Sequence, residues 1–97
     1  MAVTMTLTEF EAVLQAEQFG DTASVERGAA YALGDHSHPF DACALITSGD
    51  ITLVVDGVAT TYAAGEVFRL AAGVPHEEYA GTQGVSYRVG RRMVGAA

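Results

Sequence analysis

The dipeptide Asp56-Gly57 lies between two short apolar runs, Ile51 to Val55 and Val58 to Tyr62. Two-residue hairpin turns of type I′ require positive φ at both central residues, and Asp-Gly meets that demand at low cost, so the feature predicts two antiparallel strands joined tightly. From about Ala23 the rest of the chain carries the same grammar. Runs at Ser24 to Leu33, Ala42 to Thr47 and Val85 to Val89 alternate with Gly, Asp and Pro breaks at Ser48-Gly49-Asp50, Ala64-Gly65, Gly73-Val74-Pro75 and Gly81 to Gly84. Many short strands at regular spacing point to an all-β antiparallel sandwich or barrel. Residues 8–20 are the one stretch with helical periodicity. Thr8 and Glu11 have capping-box spacing, Phe10, Val13 and Leu14 share a stripe, and Gly20 is the expected stop.

Composition bounds the function classes. The 97 residues suffice for one domain with one modest core, and 49% hydrophobic against 18% charged residues is the balance of a globular chain. The single cysteine, Cys43, excludes an internal disulfide and a multi-cysteine zinc site, and agrees with a reducing compartment. Twelve acidic against five basic side chains give net charge −7, which opposes binding to nucleic acid and to anionic lipid. No basic n-region and no membrane-length apolar run is evident, so a cytoplasmic location is the expectation. The basic group Arg88, Arg91 and Arg92 reads as a solvated strand edge or tail.

All three histidines fall into one short pattern. In His36-Ser37-His38 the two-residue period of a strand sends both imidazoles to one face, and His76 follows a Gly/Pro turn that would aim the start of another strand. A site drawing on the three would suit a metal ion.

With these residues in place, the sequence resembles the cupin superfamily, in its small, single-domain, RmlC-like jelly-roll form. The family's first motif is G-x5-H-x-H-x3,4-E-x6-G, and His36, His38 and Gly49 match it. Its second is G-x5-P-x-G-x2-H-x3-N, matched by Gly65, Gly73 and His76 with the spacings intact. The resemblance covers about residues 28–80. It implies a cupin-type jelly-roll β-barrel, taken as residues 23–92; the helical stretch makes 1–22 an N-terminal segment packed on it, and the chain end at 93–97 reads as a flexible tail. It also implies that His36, His38 and His76 ligate a metal inside the barrel.

Departures from the motifs sharpen the expectation. The family's glutamate ligand falls on Ala42, while its first-motif glycine, second-motif proline and asparagine fall on Ala30, Ala71 and Ala80. A three-histidine site without that carboxylate suits a divalent first-row transition ion (iron, nickel, zinc, copper or manganese) better than magnesium or calcium, and leaves positions open for water or substrate. Glu78, two residues beyond His76 on the same strand face, is the leading substitute ligand, second-shell carboxylate or general base, and Asp41 is next. Alternation turns Cys43 away from the inward-facing Ala42, Ala44 and Ile46, as an inert buried thiol, unless a bulge at Asp41 reverses the register. Tyr31, Phe40, Phe68, Tyr79 and Tyr87 read as core or pocket lining, with the Tyr87 hydroxyl turned into the barrel.

Two functional classes follow. One is a metal-dependent oxygenase or related enzyme acting on a small molecule. The other is a non-catalytic binding or sensing module that holds a small ligand in the same barrel. Homodimerisation through exposed sheet edges is expected, as is common in the family.

Overall fold

The structure is a computed structural model that describes residues 4–93. One helix, α1 (Leu7–Ala16), precedes six strands: β1 (Asp21–Arg27), β2 (Ala32–His36), β3 (Phe40–Val55), β4 (Val58–Ala63), β5 (Val67–Leu70) and β6 (His76–Met93). All strand pairings are antiparallel. Apart from Met93, which closes β6, the expected tail at 93–97 lies outside the described residues.

Two long strands build the architecture. The C-terminal half of β6 lies between β1 and the N-terminal half of β3, which pairs with β5 on its other side; the N-terminal half of β6 lies between β2 and the C-terminal half of β3, which pairs with β4. β3 and β6 thus pass from one half of the sheet to the other. The two halves close on one core that joins Ala42, Ala44, Ile46, Phe68, Leu70, Val85 and Val89 of the first to Ile51 and Leu53 of the second. This is a jelly-roll architecture.

The crossing points are where local reading and structure part. Ser48-Gly49-Asp50 and Gly81 to Gly84, expected as turns, are bends inside continuous strands, with register shifts between Ile46 and Ser48 and between Gly49 and Ile51. Gly49 and Gly84 have φ of 70° and 74°, and a Cβ on Gly49 would stand 2.0 Å from the Gly84 carbonyl oxygen. Glycine with positive φ serves a bulge as well as a turn, so the sequence signal is the same for both. Conversely, the run Ser24 to Leu33 is two strands, parted by a turn in which the Tyr31 N–H donates to the Gly28 carbonyl. The hairpin at Asp56-Gly57 forms as expected, with φ of 52° and 78° and Val55 opposite Val58.

The helix is shifted from its expected frame. Its capping box is Thr6 with Glu9, not Thr8 with Glu11: the Glu9 N–H donates to Thr6 Oγ1 and the Thr6 N–H to Glu9 Oε1. The sequence offers T-x-x-E at both positions, and the earlier one starts the helix. The helix ends at Ala16, with Gln18 at positive φ, rather than running to Gly20. Its buried face, Phe10 and Leu14, joins Phe19, Cys43 and Leu45 in a second cluster on the outer face of β3. Cys43 therefore points away from the inner core, as alternation requires, and burial pushes its thiol pKa up.

Candidate metal centre

β2 and β6 run side by side so that His36 lies directly opposite His76, after a register shift following Leu33. His38 comes just after β2 ends, in a connection whose backbone is tied to the turn before β6. The Gly73 N–H donates to the His38 carbonyl, and the Ala72 N–H donates to Asp41 Oδ1. These two bonds fix where the third histidine enters relative to the first two. Ring centroids of the three imidazoles lie 4.2, 4.8 and 5.2 Å apart.

Glu78 completes the group. One ligand atom from each of His36, His38, His76 and Glu78 can be chosen such that all lie within 4.8 Å of one another. Opposed donors about 2.1 Å from a central ion stand ~4.2 Å apart, so a modest contraction would bring this set to coordination distance. The four residues could hold a metal ion.

The proton positions make a stronger argument than proximity. His36 Nδ1 faces the Gly34 carbonyl at 2.7 Å and His76 Nδ1 faces the Val74 carbonyl at 3.0 Å. A carbonyl only accepts, so both Nδ1 atoms carry the proton, and in neutral imidazoles both Nε2 atoms present lone pairs. Both Nε2 atoms face Glu78 Oε1, which lies 3.2 Å from His76 Nε2, within hydrogen-bond distance, and 3.7 Å from His36 Nε2. His36 Nε2 is buried with no hydrogen-bond partner. With His76 and Glu78 both buried, this contact needs a proton or a metal cation between the facing atoms, and a proton on His76 Nε2 would still leave His36 Nε2 unpartnered. A divalent ion meets the need and uses every donor, and carbonyl-anchored Nδ1–H groups are the usual support of metal-ligating histidines. For His38, burial first and the neighbouring His36 second lower the pKa, which keeps its ring neutral.

Tyr31 holds the other oxygen of Glu78, its hydroxyl donating to Oε2 at 2.7 Å. Burial and this bond to the carboxylate push the Tyr31 pKa up to about 12. Beside the cluster opens a cavity of about 160 Å³, with His36, His38 and Glu78 on its wall together with Tyr31, Phe40, Phe68, Leu70, Tyr87 and Val89. His76 lies behind that wall, 1% exposed.

Of the sequence-based candidates, His36, His38, His76 and Glu78 come together and Asp41 does not join them. Asp41 instead anchors the loop before β6 through Ala72 and pairs with Arg92 at 2.9 Å. Ala42, where the motif has glutamate, lines the cavity. Tyr79 is exposed and bonds Glu77, away from the cavity that the other four aromatics line. Two features were missed. Tyr31 gave no signal as a partner of Glu78, because the pair is 47 residues apart. Arg91 was grouped with its neighbours at a solvated edge, yet it faces the cavity.

The cupin domain family model matches residues 22–85, a span that holds His36, His38, Gly49, Gly65, Gly73 and His76. The chain belongs to the cupin family. Solved structures agree with this cupin fold. A protein of unknown function from Streptococcus pyogenes superposes with a TM-score of 0.68 at 25% identity, over 77% of this chain and 65% of its own. A cupin protein from Bacteroides fragilis gives 0.65 at 19% identity, over 78% and 67%. A DMSP lyase from Ruegeria pomeroyi gives 0.68 at 18% identity, over 78% of this cupin but only 39% of the lyase. At such identities the last two show likeness of fold alone. This cupin spans just under two thirds of the streptococcal protein. Comparison with curated proteins returned no match. No helix among the described residues is long and apolar enough to cross a membrane.

Proposed function

We propose that this cupin binds one divalent first-row transition metal through His36, His38, His76 and Glu78, and uses it as a metal-dependent enzyme, an oxygenase or a related activity, on a small molecule held in the adjoining cavity. The observation that carries the reading is the unpartnered, buried His36 Nε2 aimed at Glu78 Oε1, with its own Nδ1 proton committed to Gly34. Three imidazoles and one carboxylate suit iron, nickel, zinc, copper or manganese. Four protein donors leave room for substrate or water on an ion that accepts five or six ligands.

When bound, the metal supplies Lewis-acid or redox activation of whatever reaches its open side. The chain's own residues do the rest. Gly34 and Val74 fix the tautomers of His36 and His76, Tyr31 orients Glu78, and Phe40, Phe68, Leu70 and Val89 thin the water around the site. Access supports turnover rather than a closed structural ion. His36, His38 and Glu78 border the cavity, whereas a structural site is sealed by its ligands.

Elemental analysis of untagged, chelator-free protein tests the reading, together with the variants His36→Ala, His38→Ala, His76→Ala and Cys43→Ser. Near-stoichiometric metal, lost in each histidine variant and kept in Cys43→Ser, is the expected result. Full retention in a histidine variant would remove that residue from the site. Protein that takes up no first-row ion on reconstitution would refute the metal reading. Oxygen uptake with small thiols, diketones and sugars then separates an oxygenase from other metal chemistry. Stoichiometric metal with no turnover would favour a binding or sensing module.

A further inference from the structure

The five arginines of this acidic chain divide by face. Arg69, Arg88 and Arg92 point outward, and each is neutralised: Arg69 by a two-point pair with Glu17 at 2.8 and 3.0 Å, Arg88 by Glu11 at 3.0 Å, and Arg92 by Asp41 at 2.9 Å. Arg27 and Arg91 line the cavity, and among the described residues neither has a carboxylate partner. The pairing of β1 with β6 explains their direction. Val25 lies opposite Tyr87, Ala23 opposite Val89 and Arg27 opposite Val85, so Arg27 and Arg91 share the inward face that carries Tyr87 and Val89.

Their placement relative to the metal cluster is the second observation. Arg27 stacks over Tyr31, 5.3 Å from its centroid, and Tyr31 bonds Glu78. Arg91 stacks over Phe40 at 5.5 Å, and Phe40 in turn stacks on His38 at 4.9 Å. Each guanidinium thus stands one aromatic ring away from a residue of the cluster, by a separate route. Besides its contact with Tyr31, the Arg27 side chain donates to the neighbouring Glu26 carbonyl at 3.0 Å. Stacking on a ring leaves the guanidinium edge and its N–H donors free for an anion.

We propose that the cavity takes a small organic carboxylate, its anionic end met by the half-buried Arg91 and its remainder lying along Phe40, Phe68 and Tyr87 toward the metal cluster, with Arg27 adding positive charge from the far end of the cavity. In a chain of net charge −7, these two cations outnumber the one carboxylate on the cavity wall, Glu78, and make the cavity locally favourable to an anionic ligand. Arginine matches carboxylate geometry with two parallel bonds. A cavity of about 160 Å³ holds on the order of five water-sized groups at ~30 Å³ each, which limits the ligand to a short chain. The inference rests on the reading of this cavity as the working site, and its test separates the two.

Zinc-loaded and chelator-stripped protein are titrated with short-chain carboxylates such as butyrate and with their amides, in the wild type and in Arg27→Gln, Arg91→Gln and the charge-keeping Arg91→Lys, with zinc content measured for each. The expected result is butyrate binding about tenfold or more tighter than butyramide and weakened by salt. Arg91→Gln should lose about tenfold with zinc content unchanged, Arg91→Lys less than that, and Arg27→Gln only a smaller, salt-screened part. Butyrate bound no better than butyramide, or bound as tightly by Arg91→Gln as by the wild type, overturns the inference. Binding that vanishes with the zinc yet ignores both arginines also overturns it, because the metal alone would then hold the carboxylate. Should a Gln variant fail to fold, the amide comparison and salt dependence on wild type decide. Arginine-dependent binding by a protein that never takes up zinc would sustain this inference and refute the metal reading; full zinc loading without carboxylate preference would do the reverse.

Discussion

Replacing Glu78 by Gln changes one charge at almost constant shape, and its consequences for the metal-free and metal-loaded protein have opposite sign. Without metal and with both imidazoles neutral, the wild type sets Glu78 Oε1 against the Nε2 atoms of His76 at 3.2 Å and His36 at 3.7 Å. A Gln amide can turn its NH₂ toward His76 Nε2 and keep its oxygen on the Tyr31 hydroxyl, replacing a repulsion by a hydrogen bond worth about 1 kcal/mol. That raises Tm by roughly 4–8 °C for a domain of this size. With metal the same change removes the anionic donor of a buried charge cluster, for which about 3–5 kcal/mol is the measured range, so the metal Kd should rise on the order of a hundredfold or more. At metal one hundred times the wild-type Kd, binding stabilises the wild type by about 2.7 kcal/mol, or roughly 11–22 °C in Tm. Glu78→Gln at that concentration is at or below its own Kd and gains about 0.4 kcal/mol, roughly 2–3 °C. Thermal melts with and without zinc, joined to a competition titration against a chelating dye, measure every one of these quantities. An unchanged Kd in Glu78→Gln would remove Glu78 from the metal, and a lower metal-free Tm would refute the lone-pair argument itself.

Other consequences are as direct. Tyr31 should ionise near pH 12 in an ultraviolet titration in which Tyr79 and Tyr87 are also raised, and Tyr31→Phe should remove one tyrosine's amplitude from that late phase. Because the folded pKa of Tyr31 is raised, its contribution to stability is complete below the unfolded value near 10 and is lost as pH climbs through about 12; a melt series should show this loss in wild type and not in Tyr31→Phe. Gly49→Ala forces a Cβ to 2.0 Å from the Gly84 carbonyl at φ 70° and should cost about 3 kcal/mol or more in chemical denaturation. Gly57→Ala, at φ 78° with nothing within 4 Å of its Cβ, should cost only about 1 kcal/mol, and equal losses would refute the close approach of β3 to β6. Ala42→Glu in the Glu78→Gln background should recover metal affinity, measured by the same dye competition, because both positions lie on the cavity wall.

Strand content, the Asp56-Gly57 hairpin and the inward set Ala42, Ala44 and Ile46 were legible because each is written in neighbouring residues. The period of two decides a face and the turn chemistry decides a bend. The bulges at Gly49 and Gly84 were not, since a glycine with positive φ looks the same whether the chain reverses or continues, and the choice is made by the partner strand. The frame of α1 was ambiguous between two overlapping T-x-x-E boxes, and tertiary packing of Phe10 and Leu14 against Cys43 and Leu45 accompanies the earlier start. The histidines were visible as a pattern. What their spacing could not reveal was tautomer, which depends on the Gly34 and Val74 carbonyls, or the tie from Tyr31, which depends on the turn at Gly28 and the course of β6.

Arg91 shows how far face matters more than sequence neighbourhood. It adjoins Arg92 in the chain, and the two diverge completely: Arg92 lies over Phe19 and pairs with Asp41, bracing the outer face and the loop that precedes His76, while Arg91 lies over Phe40 beside His38. A strand separates consecutive side chains by its full thickness, so a doublet of cations on a two-faced strand is one structural and one site residue by construction. The same logic bears on the carboxylate. Ala42 of β3 and Glu78 of β6 both line the cavity from strands that pair with one another, so an anionic donor absent from the first can be supplied from the second without altering the barrel. If Glu78 serves the metal in place of a residue at 42, this chain keeps the family's donor set while moving one member to a neighbouring strand, two residues from His76, where the backbone that aims the histidine aims the carboxylate as well.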